Sequence, residues 1–540
     1  MALGEKLCPE YVCAGGGFVR VLILGSDYLA PTLSGLGLEV FTCGPQAEAD
    51  LYLDDWDPDY DQISNLLKNK GIKVDAFIVS DNVGNRQLPT GLWAAPGVTV
   101  FYGVDSPLNR FWQMPYARLF DLAFMDQRQE AADLAHQHSQ AHWLPVAVDP
   151  ALYEGEIPAK QRPGICFVGV VDPRIRPKRS AVLDQVSRRA QLTIKGGRRQ
   201  KWYPTQEAAQ LYRSYQLVLN ENLFPGVTTR PLEGMASGGV VLSEAAPGDM
   251  DLLFQENQHL GFYGPEDLEQ KLELYLSDEA LRRRVREEGR ELVRNEHGLG
   301  NRAQEIVNKI KIMMEMPQQQ RPRAQKGEAL RLEGEALLMA GLRWPAKGGP
   351  QRLLRAAGRL AVAYNDGAEP LAASRAAGLA QVALDRPDLA LAPLDRSAEL
   401  GSAADRLTWG MAAWMAGRQG LARQIFSEGG DYDFRLSGSP GQGKFHLGAA
   451  KVLHGAGRDM TPGFTRRRLA PPFWGALEHL LEAVSLEPDL VSAWEMLGDV
   501  MLARGAAIEA HPCFQKARAL ADRPELAAKE QEAARKGYLS

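Results

Sequence analysis

Glu233 lies about one turn inside a helix that opens at Thr228 or Thr229, directly after a Gly/Pro loop. The start of such a helix offers unpaired backbone N–H groups and a positive dipole end, which suits a diphosphate. A carboxylate one turn further in is placed to accept hydrogen bonds from ribose hydroxyls. The chemistry is that of a nucleotide-sugar site. Its elements are read from the stretch 212–254, YRSYQLVLNENLFPGVTTRPLEGMASGGVVLSEAAPGDMDLLF. A strand over 216–220 runs into the loop and the helix follows. A second strand covers 239–243, and a Pro247-Gly248 turn leads into another short helix. A strand–loop–helix–strand unit belongs to a parallel sheet, where ligands bind beyond the carboxyl ends of the strands.

At 540 residues the chain exceeds one ordinary core, and about two to four domains are expected. With 45% hydrophobic and 24% charged residues the composition is that of a globular protein. A net charge of -5 gives no reason to propose nucleic acid or an acidic membrane as a general partner. Basic residues do gather in two knots after strand ends: Arg174, Arg176, Lys178 and Arg179, then Lys195, Arg198, Arg199 and Lys201. Cys8, Cys13, Cys43, Cys166 and Cys513 form no CxxC pair and have no histidine at metal spacing, which points to a reducing compartment. No apolar run reaches the roughly 18 residues of a membrane span, and the N-terminus lacks signal-peptide features, so a cytoplasmic location is expected.

The fold class read from the pattern is α/β followed by all-α. Residues 1–18 read as a leader, since the glycines at 15–17 precede a strand instead of following one. In a first Rossmann-like domain, 19–153, strands are expected at 19–25, 38–42, 75–80, 98–102, 119–125 and 141–144, with helices at 63–70 and 128–137. A polar linker with two prolines spans 154–164. The second Rossmann-like domain, 165–315, carries strands at 165–168 and 191–195, helices at 178–189 and 205–214, the stretch above, and two long helices, 265–294 and 300–314. Strands alternating with helices indicate doubly wound sheets.

A second linker covers 316–328, and from 329 to 540 strand signals disappear and an internal repeat is visible. Trp494, Leu497, Gly498, Ala510, Phe514 and Ala517 recur in part as Ala476, Leu480 and Ala483. Weaker copies are Gly378, Ala390 and Leu394, then Gly410, Ala422 and Phe426. Small residues at these points allow close helix crossing, and the aromatic fills the gap between helices. An irregular excursion is expected near 427–472.

With these residues in view, 20–312 resembles GT-B glycosyltransferases, and within them the group related to the spore-maturation protein CgeB. The resemblance rests on VFYGVDSP (100–107), HWLPVAVD (142–149), ICFVG (165–169), the run 218–254, and Glu296-His297 followed by Asn301-Arg302-Ala303. The C-terminal part resembles tetratricopeptide proteins. Together they imply a bacterial enzyme moving a sugar from a UDP- or GDP-sugar donor to a protein or surface glycan recruited by the helical repeats. The alternative is a non-catalytic sugar-nucleotide-binding or scaffold protein acting through its repeats.

Carried over residue by residue, the resemblance gives Glu233 the donor ribose and Arg230 the diphosphate, for which a guanidinium fork is suited. Gly226, Val227, Thr228 and Thr229 would meet sugar and phosphates through backbone N–H groups. Gly169, Asn220, Lys195 and the knot from Arg174 to Arg179 would face the same cleft. Asp105, after the fourth strand, is the candidate catalytic base or acceptor-orienting residue, with Trp112 and Tyr116 downstream of it. Many retaining members carry a glutamate eight positions before the ribose glutamate; Pro225 stands there, and Glu221, the nearest acid, is twelve away. GT-B enzymes do not use a DxD-bound metal, so no metal is expected, and Asp54, Asp55 and Asp57 read as a polar loop capping the next helix.

Overall fold

The computed structural model describes residues 19–81, 86–174, 176–196, 203–346, 348–427, 436, 438–459 and 469–539. The leader 1–18 and Arg198, Arg199 and Lys201 of the second basic knot lie outside the described residues. The chain forms two compact units, one of residues 1–107 with 117–323, the other of 108–116 with 324–540.

The first unit contains two parallel sheets. Strands β1 (Arg20–Gly25), β2 (Glu39–Gly44), β3 (Leu51–Tyr52), β4 (Ala76–Ser80), β5 (Val98–Gly103), β6 (Leu122–Met125) and β7 (Ala141–Trp143) run in the order β3-β2-β1-β4-β5-β6-β7. The order reverses between β1 and β4, as in a Rossmann sheet. Strands β8 (Arg162–Gly169), β9 (Leu192–Gly196), β10 (Tyr215–Asn220), β11 (Val241–Glu244) and β12 (Gly261–Tyr263) form the second sheet, ordered β12-β11-β10-β8-β9, which reverses between β8 and β10. Ligands of doubly wound sheets sit beyond the carboxyl ends at such reversals. The central strands are apolar throughout because both faces are covered; Val21, Leu22, Ile23 and Leu24 are all buried.

Several boundaries shift, each for a packing reason. Pairing of Tyr215 with Arg162 draws the end of the 154–164 linker into β8. The helix expected over 265–294 is two, Leu268–Ser277 and Glu279–Glu296, because the Asp278 side chain accepts the Leu281 N–H at 2.9 Å and starts a new helix. The helix Leu299–Glu315 does not share the core of the second sheet, as the boundary at 315 implied. Its Leu299, Ala303, Ile306, Val307, Ile310 and Met313 pack with Val21, Ile23, Ile78 and Val100 of the first. The 316–328 linker is pinned near its end, where Arg323 pairs with buried Asp121 at 2.8 Å and donates to the Ala95 carbonyl at 2.8 Å. Asp59, not the acidic residues before it, caps the helix Tyr60–Lys70, with Gln62 completing a capping box.

The second unit is helical. Ring contacts within it join Trp112 to Tyr116 (5.8 Å) and to Trp344 (6.3 Å), so both aromatics named downstream of Asp105 are core residues of this unit. A Cβ on Gly378 would come within 2.5 Å of Leu394, on Gly410 within 2.4 Å of Phe426, and on Gly498 within 2.6 Å of Phe514. In each pair a glycine lets the following helix seat a large side chain sixteen positions on, against the bare backbone. Gly498→Val and Gly410→Val are each expected to destabilise by about 1–3 kcal/mol through overpacking, measured as a fall in urea midpoint. The 427–472 segment is not irregular throughout: Gly443–Gly455 is a helix that buries Phe445, Ala449, Ala450 and Leu453 among its neighbours. Among the described residues no helix is long and apolar enough to cross a membrane.

Candidate functional site

A cavity of about 610 Å³ opens at the carboxyl end of the second sheet, where its strand order reverses. Val168 and Gly169 at the end of β8 and Glu221 just past β10 form its floor, and Thr228, Thr229, Arg230 and Glu233 enter from the helix Thr229–Ala236. Arg176 and Arg179 enter from the start of the helix Pro177–Arg189, and Tyr212 from the helix Thr205–Ser214. Asp105 comes from the first sheet, past the end of β5.

Arg230 is held on three sides. Its Nε donates to the Val168 carbonyl at 3.0 Å, its Nη1 to Asn220 Oδ1 at 2.7 Å, and its plane lies 4.7 Å from the Phe167 ring centroid. A Cβ on Gly169 would approach Arg230 Nη2 to 2.9 Å, so glycine lets the guanidinium lie along the strand end. Arg179 donates to Glu221 at 2.7 Å and to the Val170 carbonyl at 3.0 Å. Burial, then the neighbouring Arg230, hold the Arg179 guanidinium below its usual range, and burial does the same to Arg176. Crowded cations of this kind gain from an anion beside them. Among the described residues, buried Arg176 Nε and Thr228 Oγ1 have no hydrogen-bond partner, and both residues line the cavity. Unmet buried polar atoms cost about 1–3 kcal/mol each, which a bound ligand relieves.

Glu233 accepts from the Tyr212 hydroxyl at 3.3 Å. Burial, then Glu233 itself, push Tyr212 and Tyr153 well above the usual phenol range, so both stay protonated donors beside the carboxylate. Pro231 sits at the third helical position, where its missing N–H would have had no helical partner.

Asp105 adopts a left-handed backbone with φ +51°. Asp126 holds it there by accepting the N–H of Asp105 at 2.8 Å, the N–H of Ser106 at 3.0 Å and the Ser106 hydroxyl. Asp126 is fully buried and burial pushes it up to about 7, against the pull of its Ser106 and Gln127 hydrogen bonds. Burial likewise raises Asp105, opposed by Arg86 and Arg176.

Of the residues named from sequence, Asp105, Gly169, Thr228, Thr229, Arg230 and Glu233 meet at this cavity. Asn220 lies beneath it, fully buried, bracing Arg230. Arg174 is corrected: its side chain is 80% exposed and paired with Asp172 at 2.7 Å, while Arg176 and Arg179 of the same knot turn inward. Lys195 is exposed and outside the lining, which Gly196 joins instead. Gly226 and Val227 are not among the lining residues either. The Val227 N–H donates to Gln127 Oε1 at 2.9 Å, and Gln127 Nε2 returns a bond to the Val227 carbonyl at 2.8 Å. A Cβ on Gly226 would meet Gln127 Oε1 at 2.2 Å. Sequence reasoning missed Gln127, Asp126, Tyr153 and Tyr212, for which no local motif exists. Gln127→Ala would leave both Val227 backbone groups unpaired. It is expected to cost about 2 kcal/mol of stability, read from chemical denaturation. Among the described residues no group of three or more His, Cys, Asp or Glu is placed to hold a metal ion.

A search of curated proteins finds no match to the chain. Among solved structures, the chain is similar to the catalytic domain of starch synthase IV from Arabidopsis thaliana bound to ADP and acarbose, at 11% identity and TM-score 0.42, over 56% of this chain and 100% of that one. It is also similar to sucrose-phosphate synthase from Thermosynechococcus elongatus, at 12% identity and TM-score 0.40, over 55% of this chain and 100% of that one. A third is Anabaena HepE in complex with UDP and glucose, at 11% identity and TM-score 0.37, again over 55% and 100%. Residues 176–308, which carry the inward-turning arginines, Glu233 and four strands of the second sheet, match the model of a family described as glycosyl transferase-like.

Proposed function

We propose that this chain is a GT-B-type glycosyltransferase, allied to the CgeB-like group, which moves a sugar from a UDP- or GDP-sugar to an acceptor. The observation that carries the reading is the 610 Å³ cavity at the strand reversal, whose crowded arginines and two unmet polar atoms belong to the stretch that matches the family model. In this reading Arg176, Arg179 and Arg230 receive the diphosphate, and their charge stabilises it as leaving group without requiring a metal. Glu233, oriented by Tyr212 and Tyr153, accepts the ribose hydroxyls. Asp105 takes the proton of the acceptor hydroxyl as its oxygen bonds to the sugar's anomeric carbon. The bond from that carbon to the diphosphate oxygen breaks, and the electron pair leaves with the nucleoside diphosphate. A carboxylate raised by burial is a stronger base than one in water.

The acceptor is a protein or surface glycan, recruited by the tetratricopeptide-like helices of the second unit. The glycine-to-large-residue seats at sixteen-residue spacing support a repeat architecture. The test is incubation with radiolabelled UDP- and GDP-sugars, following donor hydrolysis and transfer. Turnover of one donor is expected. Binding of donors with no turnover of any, unchanged in Asp105→Ala, would leave a non-catalytic binding protein as the answer.

A further inference from the structure

The helix Glu279–Glu296 carries Arg282, Arg286, Arg290 and Arg294 at successive spacings of four. Like charges at that spacing lie over one another on a helix and repel. Arg294 is met by Glu154 at 3.2 Å, and Arg282 donates to the Tyr275 and Leu276 carbonyls, both at 2.8 Å. The middle two are less well served. Arg286 reaches the Gln161 side chain, yet its Nε and the Nε of Arg290 are buried and lack a hydrogen-bond partner among the described residues. Arg213, on the helix Thr205–Ser214, also has a buried Nε without a partner among the described residues, and Arg290 is the charge that bears on it. Burial, then Arg282, hold Arg286 below its usual range.

Arg282, Arg286 and Arg290 border a cavity of about 540 Å³. Lys160, Arg282, Arg283, Arg286 and Arg290 line it, against the carboxylates of Glu279 and Glu287. Gln161 and Gln216, at the amino ends of β8 and β10, close its floor. The donor cavity lies at the carboxyl ends of the same strands. Eight residues of β8 separate the two, roughly 25 Å at the usual rise per residue. They are therefore different sites.

We infer that this cavity is a second anion site, built for a small phosphorylated ligand carrying at least two negative charges. Guanidinium forks fit phosphate oxygens in pairs, and the two unmet Nε atoms are donors such a group would satisfy. The space exceeds what a bare phosphate fills and suits a diphosphate or a phosphorylated sugar.

The probe is inorganic pyrophosphate, titrated into the full chain by calorimetry and thermal melting, with inorganic phosphate and sodium chloride at matched ionic strength as comparisons. All titrations use an Arg230→Gln background, which weakens pyrophosphate binding at the donor cavity, where Arg176 and Arg179 remain. One tight site is expected in that background, with pyrophosphate bound more tightly than phosphate. Adding Arg286→Gln and Arg290→Gln should weaken it at least tenfold while raising the melting temperature without anion, because the repulsion is gone. An isotherm unchanged by those two substitutions, or a melting shift that chloride reproduces, overturns the inference. If the triple variant fails to fold, Arg283→Gln at the exposed rim serves in its place: a several-fold loss of pyrophosphate affinity supports the site, and unchanged affinity overturns it.

Discussion

Asp105→Asn is expected to lower kcat by about 10³-fold with donor affinity nearly unchanged, since general-base catalysis contributes on the order of 10²–10⁴-fold. The substitution keeps the shape of the side chain and the backbone bonds to Asp126, and removes only the basic oxygen. Stability should move the other way. The folded Asp105 titrates above its ordinary value of 3.8, chiefly through burial. Its contribution to stability is therefore full below the unfolded value and is lost as pH rises through the folded one. At neutral pH the buried charge is a net cost, and the asparagine variant should melt higher than the native protein. The native rate should fall as acid protonates Asp105, at a pH above its ordinary value of 3.8. Paired measurements of kcat and melting temperature check both signs together. A slow enzyme that also melts lower would identify a folding defect instead.

Arg230→Ala is expected to weaken donor binding by roughly 30–100-fold, the loss of about 2–3 kcal/mol for a charge-assisted bond to a diphosphate. It also strands the Val168 carbonyl and Asn220 Oδ1, which Arg230 now serves. A stability loss of about 1–3 kcal/mol should accompany it. Arg230→Lys separates the two effects. It restores the charge but not the planar fork, so one point charge replaces a guanidinium that binds two protein acceptors while stacked on Phe167. Affinity should recover only in part. Fluorescence or calorimetric titration with UDP and GDP, beside a denaturant series, measures each part.

The central strands were readable because burial on both faces leaves an apolar run with few interruptions, as in 19–25 and 98–102. The short edge strands β3 and β12 were not, although β7, equally short, was read from the run that ends before Pro145. The helix Gly443–Gly455 escaped notice because glycine and proline surround it, and its register is set by the apolar neighbours it packs against. The site divides along the same line. Residues at strand ends and at the helix start, such as Gly169, Arg230 and Glu233, carry a local signature. Which arginine of a basic knot turns inward does not. That choice depends on where the helix Pro177–Arg189 begins, leaving Arg174 outside and Arg179 within its first turn. The Gln127 clasp on Val227 joins residues a hundred positions apart, and no local pattern encodes it.

The return of the helix Leu299–Glu315 to the first sheet bears on how the chain is made. Synthesis proceeds at about 5–20 residues per second, so the ribosome finishes β7 on the order of ten seconds before it delivers this helix. Throughout that interval the nascent sheet lacks the covering that Ile306, Val307 and Ile310 supply. Its apolar face then depends on chaperones or on transient contacts. A fragment ending at residue 153 should aggregate for the same reason, and a separate peptide of residues 296–316 supplied in trans should rescue its solubility.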